Sequence, residues 1–193
     1  MLRTLGGLWY KYNGWTFKNE IPDSLRSFIL LGAPHTSNID LFAAMALAKL
    51  MKRNAKFVIK NDWLKFPMNL LMKPAGAIGL DREKLKRLGT ANNTDLMTEL
   101  FKQYQELVLM IAPEGTRSPT GHWKTGFYYI AQKARVPIVL GYGDYQNKVL
   151  GLGPVIWPEN FEKDFQSILE FYKDIKGRHP EKFLLDERFQ NPV

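Results

Sequence analysis

The 193-residue sequence contains no cysteine, which excludes a disulfide, a thiolate nucleophile and any metal site built on cysteine. It has only three histidines, and none is paired at a spacing typical of a metal site, so we expect no metal. No apolar run approaches the roughly 18 residues that a membrane-spanning helix needs. The sequence also lacks Gly-x-Ser-x-Gly, the P-loop and the dinucleotide fingerprint, which argues against a serine hydrolase and these nucleotide-binding classes. We therefore expect a soluble or peripherally membrane-associated cytoplasmic protein.

The composition predicts a folded and locally basic protein. Hydrophobic residues make up 45% and aromatic residues 13% of the chain, which argues against disorder, and the length fits one domain over residues 1–193. The formal net charge of +8 is concentrated between Lys49 and Arg87, where 11 Lys or Arg oppose three acids. Such a surface suits nucleic acid, an anionic membrane or a phosphorylated substrate, and a solvated basic face is the alternative.

Residues 33–40 lie between a short apolar run and an alanine-rich one. Residues 27–32 predict a buried strand, and residues 41–51 are rich in strong helix formers. The segment between them is thus a strand-to-helix turn. The candidates for the N-cap of the helix are Thr36, Ser37 and Asn38.

His35 and Asp40 lie on this turn, with Asp40 in the first turn of the predicted helix. A carboxylate there can reach a ring nitrogen of His35, which would fix the tautomer and leave the other nitrogen free to take a proton. The spacing agrees equally well with a capped helix whose histidine is merely hydrogen-bonded.

The rest of the chain alternates between predicted strands and helices. The further strands are expected at 55–60, 76–80, 107–112, 136–140 and 149–157, and the further helices at 94–104, 127–133 and 161–175, the last closed by Gly177. Two segments stay ambiguous. Residues 2–18 suit an interfacial membrane anchor or an edge hairpin turning at Asn13-Gly14, and residues 62–72 suit a helix on the core or a surface that dips into lipid.

This alternation predicts an α/β sandwich, a largely parallel sheet flanked by helices. In such sheets ligands gather at the carboxyl ends of the strands. His35, Arg82 and residues 114–117 each follow directly on a predicted strand. We therefore expect all three to share one edge of the sheet.

Four short blocks occur in order between residues 27 and 140. They are His35-Thr36-Ser37-Asn38-Ile39-Asp40, Gly76-Ala77-Ile78-Gly79-Leu80-Asp81-Arg82, Glu114-Gly115-Thr116-Arg117 and Val136-Pro137-Ile138-Val139. Lys124 and Gly126 add a Lys-x-Gly between the third and fourth blocks. Together the blocks resemble the glycerolipid acyltransferase family, which contains the lysophosphatidate (1-acyl-sn-glycerol-3-phosphate) acyltransferases. The resemblance implies a fold like that of glycerol-3-phosphate acyltransferase.

The resemblance also implies the reaction. A fatty acyl group would move from acyl-CoA or acyl carrier protein to the hydroxyl of a lysophospholipid, with lysophosphatidate giving phosphatidate. His35, oriented by Asp40, would be the general base, and neither a covalent enzyme intermediate nor a cofactor would be needed. Backbone amides near Gly115, or a helix terminus, are the candidates for stabilising the oxyanion.

Basic residues of the matched blocks would bind the acceptor. By the same resemblance, Arg82 and Arg117 would hold its phosphate, with Lys124 as a third cation, since arginine suits phosphate geometry. Glu114 would belong to the acceptor site and orient Arg117 or a substrate hydroxyl. The alternative for the two arginines is a pair of structural salt bridges.

Two departures from the family pattern shape the expected membrane contact and acceptor. Leu140 stands where many members have a second proline, and no N-terminal membrane helices precede His35. The basic stretch with Trp63, Phe66 and Leu70 is therefore the expected docking surface on an anionic membrane. Two alternatives stay open: an acceptor without phosphate, such as an amino-acid-derived lipid, or a non-catalytic basic module for anionic lipid or nucleic acid. The enzyme, with no nucleic-acid partner, is the preferred interpretation.

Overall fold

A computed structural model describes residues 1–80 and 93–189. Its helices are α1 (Leu2–Tyr12), α2 (Asp40–Leu50), α3 (Asn69–Ala75), α4 (Asn93–Gln103), α5 (Gly126–Ala134) and α6 (Phe161–Tyr172). Its strands are β1 (Thr16–Asn19), β2 (Phe28–Gly32), β3 (Ala55–Lys60), β4 (Ala77–Leu80), β5 (Val108–Ile111), β6 (Ile138–Asp144) and β7 (Val149–Ile156). Short 3-10 helices occur at Asn61–Leu64, Pro180–Lys182 and Glu187–Phe189. Arg82 lies outside the described residues.

The seven strands within the described ranges form one sheet in the order β1-β7-β6-β2-β5-β3-β4. The five neighbouring strands from β6 to β4 run parallel to one another. Strand β7 is antiparallel to β6, and β1 pairs in parallel with β7. The prediction of an α/β fold with a largely parallel sheet flanked by helices is confirmed.

Strand β2 lies in the middle of the sheet and is buried on both faces. Phe28 and Leu30 pack in a cluster with α2, whereas Ile29 and Leu31 pack with α5 and α6 on the other face. An unbroken apolar run is what a central parallel strand requires, because helices cover both of its faces. The carboxyl end of β2 is thereby fixed from both sides, directly before the His35 turn.

The N-terminal segment is a helix followed by a strand, so the edge-hairpin interpretation is wrong. Strand β1 pairs with β7, which is distant in sequence, and Gly14, with a φ of 68°, follows the end of α1. Gly6 allows α1 to pack closely on α2, since a Cβ there would lie 2.7 Å from the backbone of Ala46 and Phe42. None of the described helices is long and apolar enough to cross a membrane.

Residues 62–72 fold as parts of two short helices separated by Pro67. Met72 of α3 is buried against the core, while the side chains of Trp63, Phe66 and Leu70 are exposed. The segment therefore packs on the core through one side and leaves an apolar surface on the other. Thr94, where the sequence predicts this helix to begin, lies inside α4.

Candidate active site

The site begins where β2 and β5 end. These strands are neighbours and run parallel, so their carboxyl ends lie side by side. His35 follows β2 and Glu114 follows β5, and the backbone N–H of His35 donates to the two Glu114 carboxylate oxygens at 3.1 and 2.9 Å. The structure therefore brings His35 and the loop of residues 114–117 together at one edge.

The Asp40 carboxylate organises the His35 turn. Its Oδ2 accepts hydrogen bonds from the backbone N–H groups of Thr36 and Ser37, each at 2.8 Å. The same oxygen lies 3.4 Å from His35 Nδ1, longer than an ordinary N–H···O hydrogen bond but close enough for a direct electrostatic contact. Nδ1 thus faces the carboxylate, and Nε2 is the ring nitrogen left for a substrate.

The predicted N-cap of α2 is wrong. Ile39 is the N-cap residue, and no side chain makes a capping hydrogen bond there. Asp40, inside the helix, instead accepts from two amides of the preceding turn, while Ser37 Oγ accepts from the Ile39 N–H at 3.2 Å. The first amides of the helix pair instead with the backbone carbonyls of Ser37, Asn38 and Ile39, and the Asp40 carboxylate orders the turn that carries the histidine.

Asp40 is held in its charged form. Burial opposes this, but the His35 contact, the Tyr145 hydroxyl and the Ser37 amide outweigh burial and lower the pKa of Asp40. The side chain of His35 is 25% exposed, against 9% for Asp40. A buried carboxylate behind a partly exposed imidazole can stabilise the imidazolium that forms when His35 takes a proton.

Glu114 has the opposite electrostatic character. Burial raises its pKa to about 7, because the hydrogen bond from the His35 N–H only partly offsets the loss of water. Both of its oxygens face the backbone of the His35 turn, so in this structure the residue holds that turn against β5.

Two cations lie at the loop that follows β5. Lys124 donates its backbone N–H to the Pro113 carbonyl at 2.7 Å, and its side chain lies over Gly115, where a Cβ would come within 2.6 Å of the lysine Cε. Gly115 has a φ of 64°, which favours glycine. Arg117 is exposed, and its side chain makes no ion pair or hydrogen bond within residues 1–80 and 93–189. Within those residues Arg117 therefore forms no structural salt bridge.

Two contacts at the site were not predicted from the sequence. The Tyr145 hydroxyl donates to Asp40 Oδ1 at 2.8 Å, and the His179 backbone N–H donates to Thr36 Oγ1 at 3.1 Å. The prediction that Gly177 ends α6 is wrong, because the helix ends at Tyr172. Gly177 lies instead against the His35 turn, where a Cβ added to it would be 2.9 Å from Pro34. Tyr145 directly follows β6, the other neighbour of β2, and the predicted strand at 136–140 ends before it.

A comparison with known protein families identifies the class of protein. The sequence profile described as Acyltransferase matches residues 17–139, which is more than half of the chain and includes His35, Asp40 and the loop of residues 114–117. The chain therefore belongs to the acyltransferase family and is an acyl-transferring enzyme.

One solved structure extends the comparison to the fold. The 1-acyl-sn-glycerophosphate (LPA) acyltransferase PlsC from Thermotoga maritima superposes with a TM-score of 0.58 at 17% sequence identity, covering 92% of this chain and 79% of that protein. The two proteins share a fold. No curated protein sequence matches the chain.

Proposed function

We propose that the protein is an O-acyltransferase that moves a fatty acyl group from an acyl thioester to the hydroxyl of a lysophospholipid, with lysophosphatidate as the preferred acceptor. The single observation that carries the proposal is the His35 imidazole, whose Nδ1 faces the buried Asp40 carboxylate at 3.4 Å while the ring stays partly exposed. The activity given in the name of the T. maritima protein supports the choice of acceptor.

The proposed reaction is direct acyl transfer. His35 Nε2 takes the proton of the acceptor hydroxyl while the hydroxyl oxygen attacks the thioester carbonyl carbon. The resulting tetrahedral oxyanion collapses, the C–S bond breaks, and the imidazolium returns its proton to the leaving thiolate. An ester and a free thiol result. The thioester of acyl-CoA or acyl carrier protein is already activated, so the proposed reaction uses no cofactor.

Backbone amides after Gly115 are the proposed oxyanion donors. The Gly115 N–H itself donates to the Ala112 carbonyl at 3.2 Å. Within the described ranges the N–H groups of Thr116 and Arg117 have no backbone or side-chain acceptor. Preorganised amides of this kind stabilise developing negative charge without having to reorganise.

Arg117 and Lys124 are the proposed phosphate ligands, and Arg82 is a third candidate from the matched sequence block. Replacing Arg117 by alanine should raise KM for lysophosphatidate about tenfold or more, since a hydrogen bond to a charged group contributes about 1.5–3 kcal/mol. The same change should leave KM for monoacylglycerol, which lacks the phosphate, within twofold. The measurement is thiol release from acyl-CoA and from acyl carrier protein, with each acceptor in turn.

Arg26→Ala is the matched control for this assay. Arg26 is also exposed, but it precedes β2 and so lies at the amino edge of the sheet, away from the site. An equal loss with both acceptors would contradict the role of Arg117 as a phosphate ligand. Unchanged activity of the variant with lysophosphatidate would also contradict it and would favour the phosphate-free acceptor. If folded, vesicle-bound protein released no thiol with any acceptor, the proposed function would fail and the non-catalytic lipid-binding module would be favoured.

The enzyme is also proposed to dock on the cytoplasmic face of an anionic membrane, from which the acceptor would enter. Around α1, apolar residues recur at helical spacing on a side different from the buried residues Leu2 and Gly6. The exposed members are Met1, Leu5, Leu8 and Tyr12. This exposed stripe has the form of an interfacial helix.

A second exposed apolar group, Trp63, Phe66 and Leu70, follows the carboxyl end of β3. His35 and Glu114 lie at the same edge of the sheet. The surrounding stretch carries the basic excess found in the sequence, and each Lys or Arg near an anionic surface contributes about 1 kcal/mol to binding. Exposed apolar side chains on the edge that holds the site, within a basic stretch of the sequence, support a membrane as the partner.

Glutamate at both Phe66 and Leu70 should weaken binding to vesicles of phosphatidylglycerol and phosphatidylcholine by at least about tenfold. Removing each side chain from lipid costs about 1.5–3 kcal/mol, and both are exposed, so the fold should be retained. Sedimentation with vesicles measures the effect. Trp157→Glu is the control, because Trp157 is also exposed but follows β7 at the other edge. Equal binding of the double variant and the unmodified protein would contradict the proposal.

A further inference from the structure

The two oxygens of the Asp40 carboxylate have separate partners. Oδ2 accepts from the amides of Thr36 and Ser37 and faces His35 Nδ1. Oδ1 accepts from the Tyr145 hydroxyl at 2.8 Å. Rotating the carboxylate about its Cβ–Cγ bond would disturb both sets of contacts at once. The hydroxyl therefore fixes the orientation that the amides and the imidazole require.

Tyr145 is itself held firmly. Its backbone N–H donates to the Lys176 carbonyl at 2.8 Å. Its ring packs edge-on against Trp15, with centroids 4.9 Å apart, and lies 6.4 Å from the ring of Trp9. An aromatic side chain has few rotatable bonds, so a packed tyrosine can hold its hydroxyl in place with little loss of conformational entropy.

The proton between the two side chains belongs to the tyrosine. Burial, followed by the negative charge of Asp40, raises the pKa of Tyr145 far above its usual value. The pKa of Asp40 is lowered despite its burial. Tyr145 is thus a donor and Asp40 an acceptor, and the hydrogen bond to a charged oxygen is of the stronger kind.

We propose that Tyr145 is a positioning residue for acyl transfer: its hydroxyl holds Asp40 so that Oδ2 faces His35 Nδ1. Neutral His35 then carries its proton on Nδ1 and presents Nε2 to the acceptor hydroxyl. The inference rests on the proposed function of His35 as the base. It adds a series of contacts from Tyr145 through Asp40 to His35, in which only the histidine would touch the substrate.

The kinetic test is Tyr145→Phe, which removes one oxygen and keeps the ring. We expect kcat to fall about tenfold, as for the loss of one hydrogen bond to a charged group, with KM for donor and acceptor within twofold. Tyr142→Phe is the matched control, because Tyr142 is on β6 and its ring packs 5.5 Å from that of Phe171. A Tyr145→Phe enzyme with kcat within twofold of the unmodified enzyme would overturn the proposal.

A second comparison separates positioning from a structural role. If Tyr145 acts through the Asp40 carboxylate, adding Tyr145→Phe to an Asp40→Asn enzyme should lower kcat no further. If the tyrosine only stabilises the fold, the two losses should multiply and the melting temperature should fall with each. That multiplicative result would also overturn the proposal.

A third measurement needs no turnover. NMR of protein with 15N-labelled histidine reports which ring nitrogen of neutral His35 carries the proton. We expect the fraction protonated on Nδ1 to fall in Tyr145→Phe and to stay unchanged in Tyr142→Phe. An unchanged fraction in Tyr145→Phe would overturn the inference. If the fraction falls but the unmodified protein transfers no acyl group, the proposed function fails and the contact with Asp40 stands.

Discussion

Replacing His35 by alanine should lower kcat for acyl transfer by about three orders of magnitude, within the range of about 10²–10⁴ that general-base catalysis contributes. In the proposed reaction the imidazole takes the proton of the acceptor hydroxyl and returns it to the leaving thiolate. Without the imidazole, water would have to carry out both proton transfers. Acceptor-dependent release of free thiol, measured with saturating donor, gives the rate.

The same substitution should leave the fold intact. The interaction of His35 with Glu114 comes from its backbone N–H, which alanine keeps. Asp40 would keep the hydrogen bonds from Thr36, Ser37 and Tyr145. The removed ring is partly exposed, so the free energy of unfolding should change by about 1 kcal/mol or less.

His122→Ala is the control for this experiment. His122 is exposed, and its contacts with Thr120 use backbone atoms that the substitution keeps. It should transfer acyl groups at the unmodified rate. A His35→Ala enzyme that kept a tenth or more of the rate would mean that another group is the base.

The strands could be predicted from the sequence where local pattern and tertiary environment agree. Strand β3 matches the predicted residues 55–60, and β2 lies within the predicted 27–32. Strand β2 is an unbroken apolar run, which a buried parallel strand needs whatever its neighbours, and β3 centres on the apolar residues Phe57, Val58 and Ile59. The proximity of His35 to residues 114–117 followed, because both segments come after strands of one parallel sheet.

The unpredicted features depend on contacts between distant segments. The sequence of residues 2–18 predicts an anchor or a hairpin equally, because aromatic and basic side chains suit both. The helix that forms is stabilised by the close packing of Gly6 on α2. This contact joins distant segments and cannot be predicted from the local sequence. Tyr145 reaches Asp40 only because β6 pairs with β2, and strand order is not a local property. Helix α2 has no side-chain cap because its first amides pair with backbone carbonyls of the preceding turn, which depends on how that turn folds.

Glu114 links the stability of the site to pH. Its carboxyl has an ordinary pKa of 4.5, as in the unfolded chain, and burial raises the pKa to about 7 in the folded protein. Between these values the folded protein binds more protons than the unfolded chain. The free energy of unfolding must therefore fall as pH rises through this range, by up to about 3 kcal/mol from this one group.

The Glu114→Gln variant should lose this part of the pH dependence. A glutamine oxygen can still accept the His35 N–H, but the side chain does not ionise. Relative to the variant, the unmodified protein should lose up to about 3 kcal/mol of stability between pH 5 and pH 8, because a buried charge forms in only one of the two. Denaturant unfolding at four pH values in that interval measures the difference, and contributions from all other groups cancel.

The exposed Glu159 provides the control. A plot of the free energy of unfolding against pH should have the same shape for Glu159→Gln as for the unmodified protein. If the curve for Glu114→Gln also had this shape, ionisation of Glu114 would not destabilise the folded protein. Groups other than the His35 amide would then have to stabilise its charge. A difference of the expected sign would instead mean that the turn carrying His35, the proposed base, is held most firmly below neutral pH. Activity that declines above neutral pH in the unmodified enzyme, but not in Glu114→Gln, would then trace to this anchor and not to the histidine.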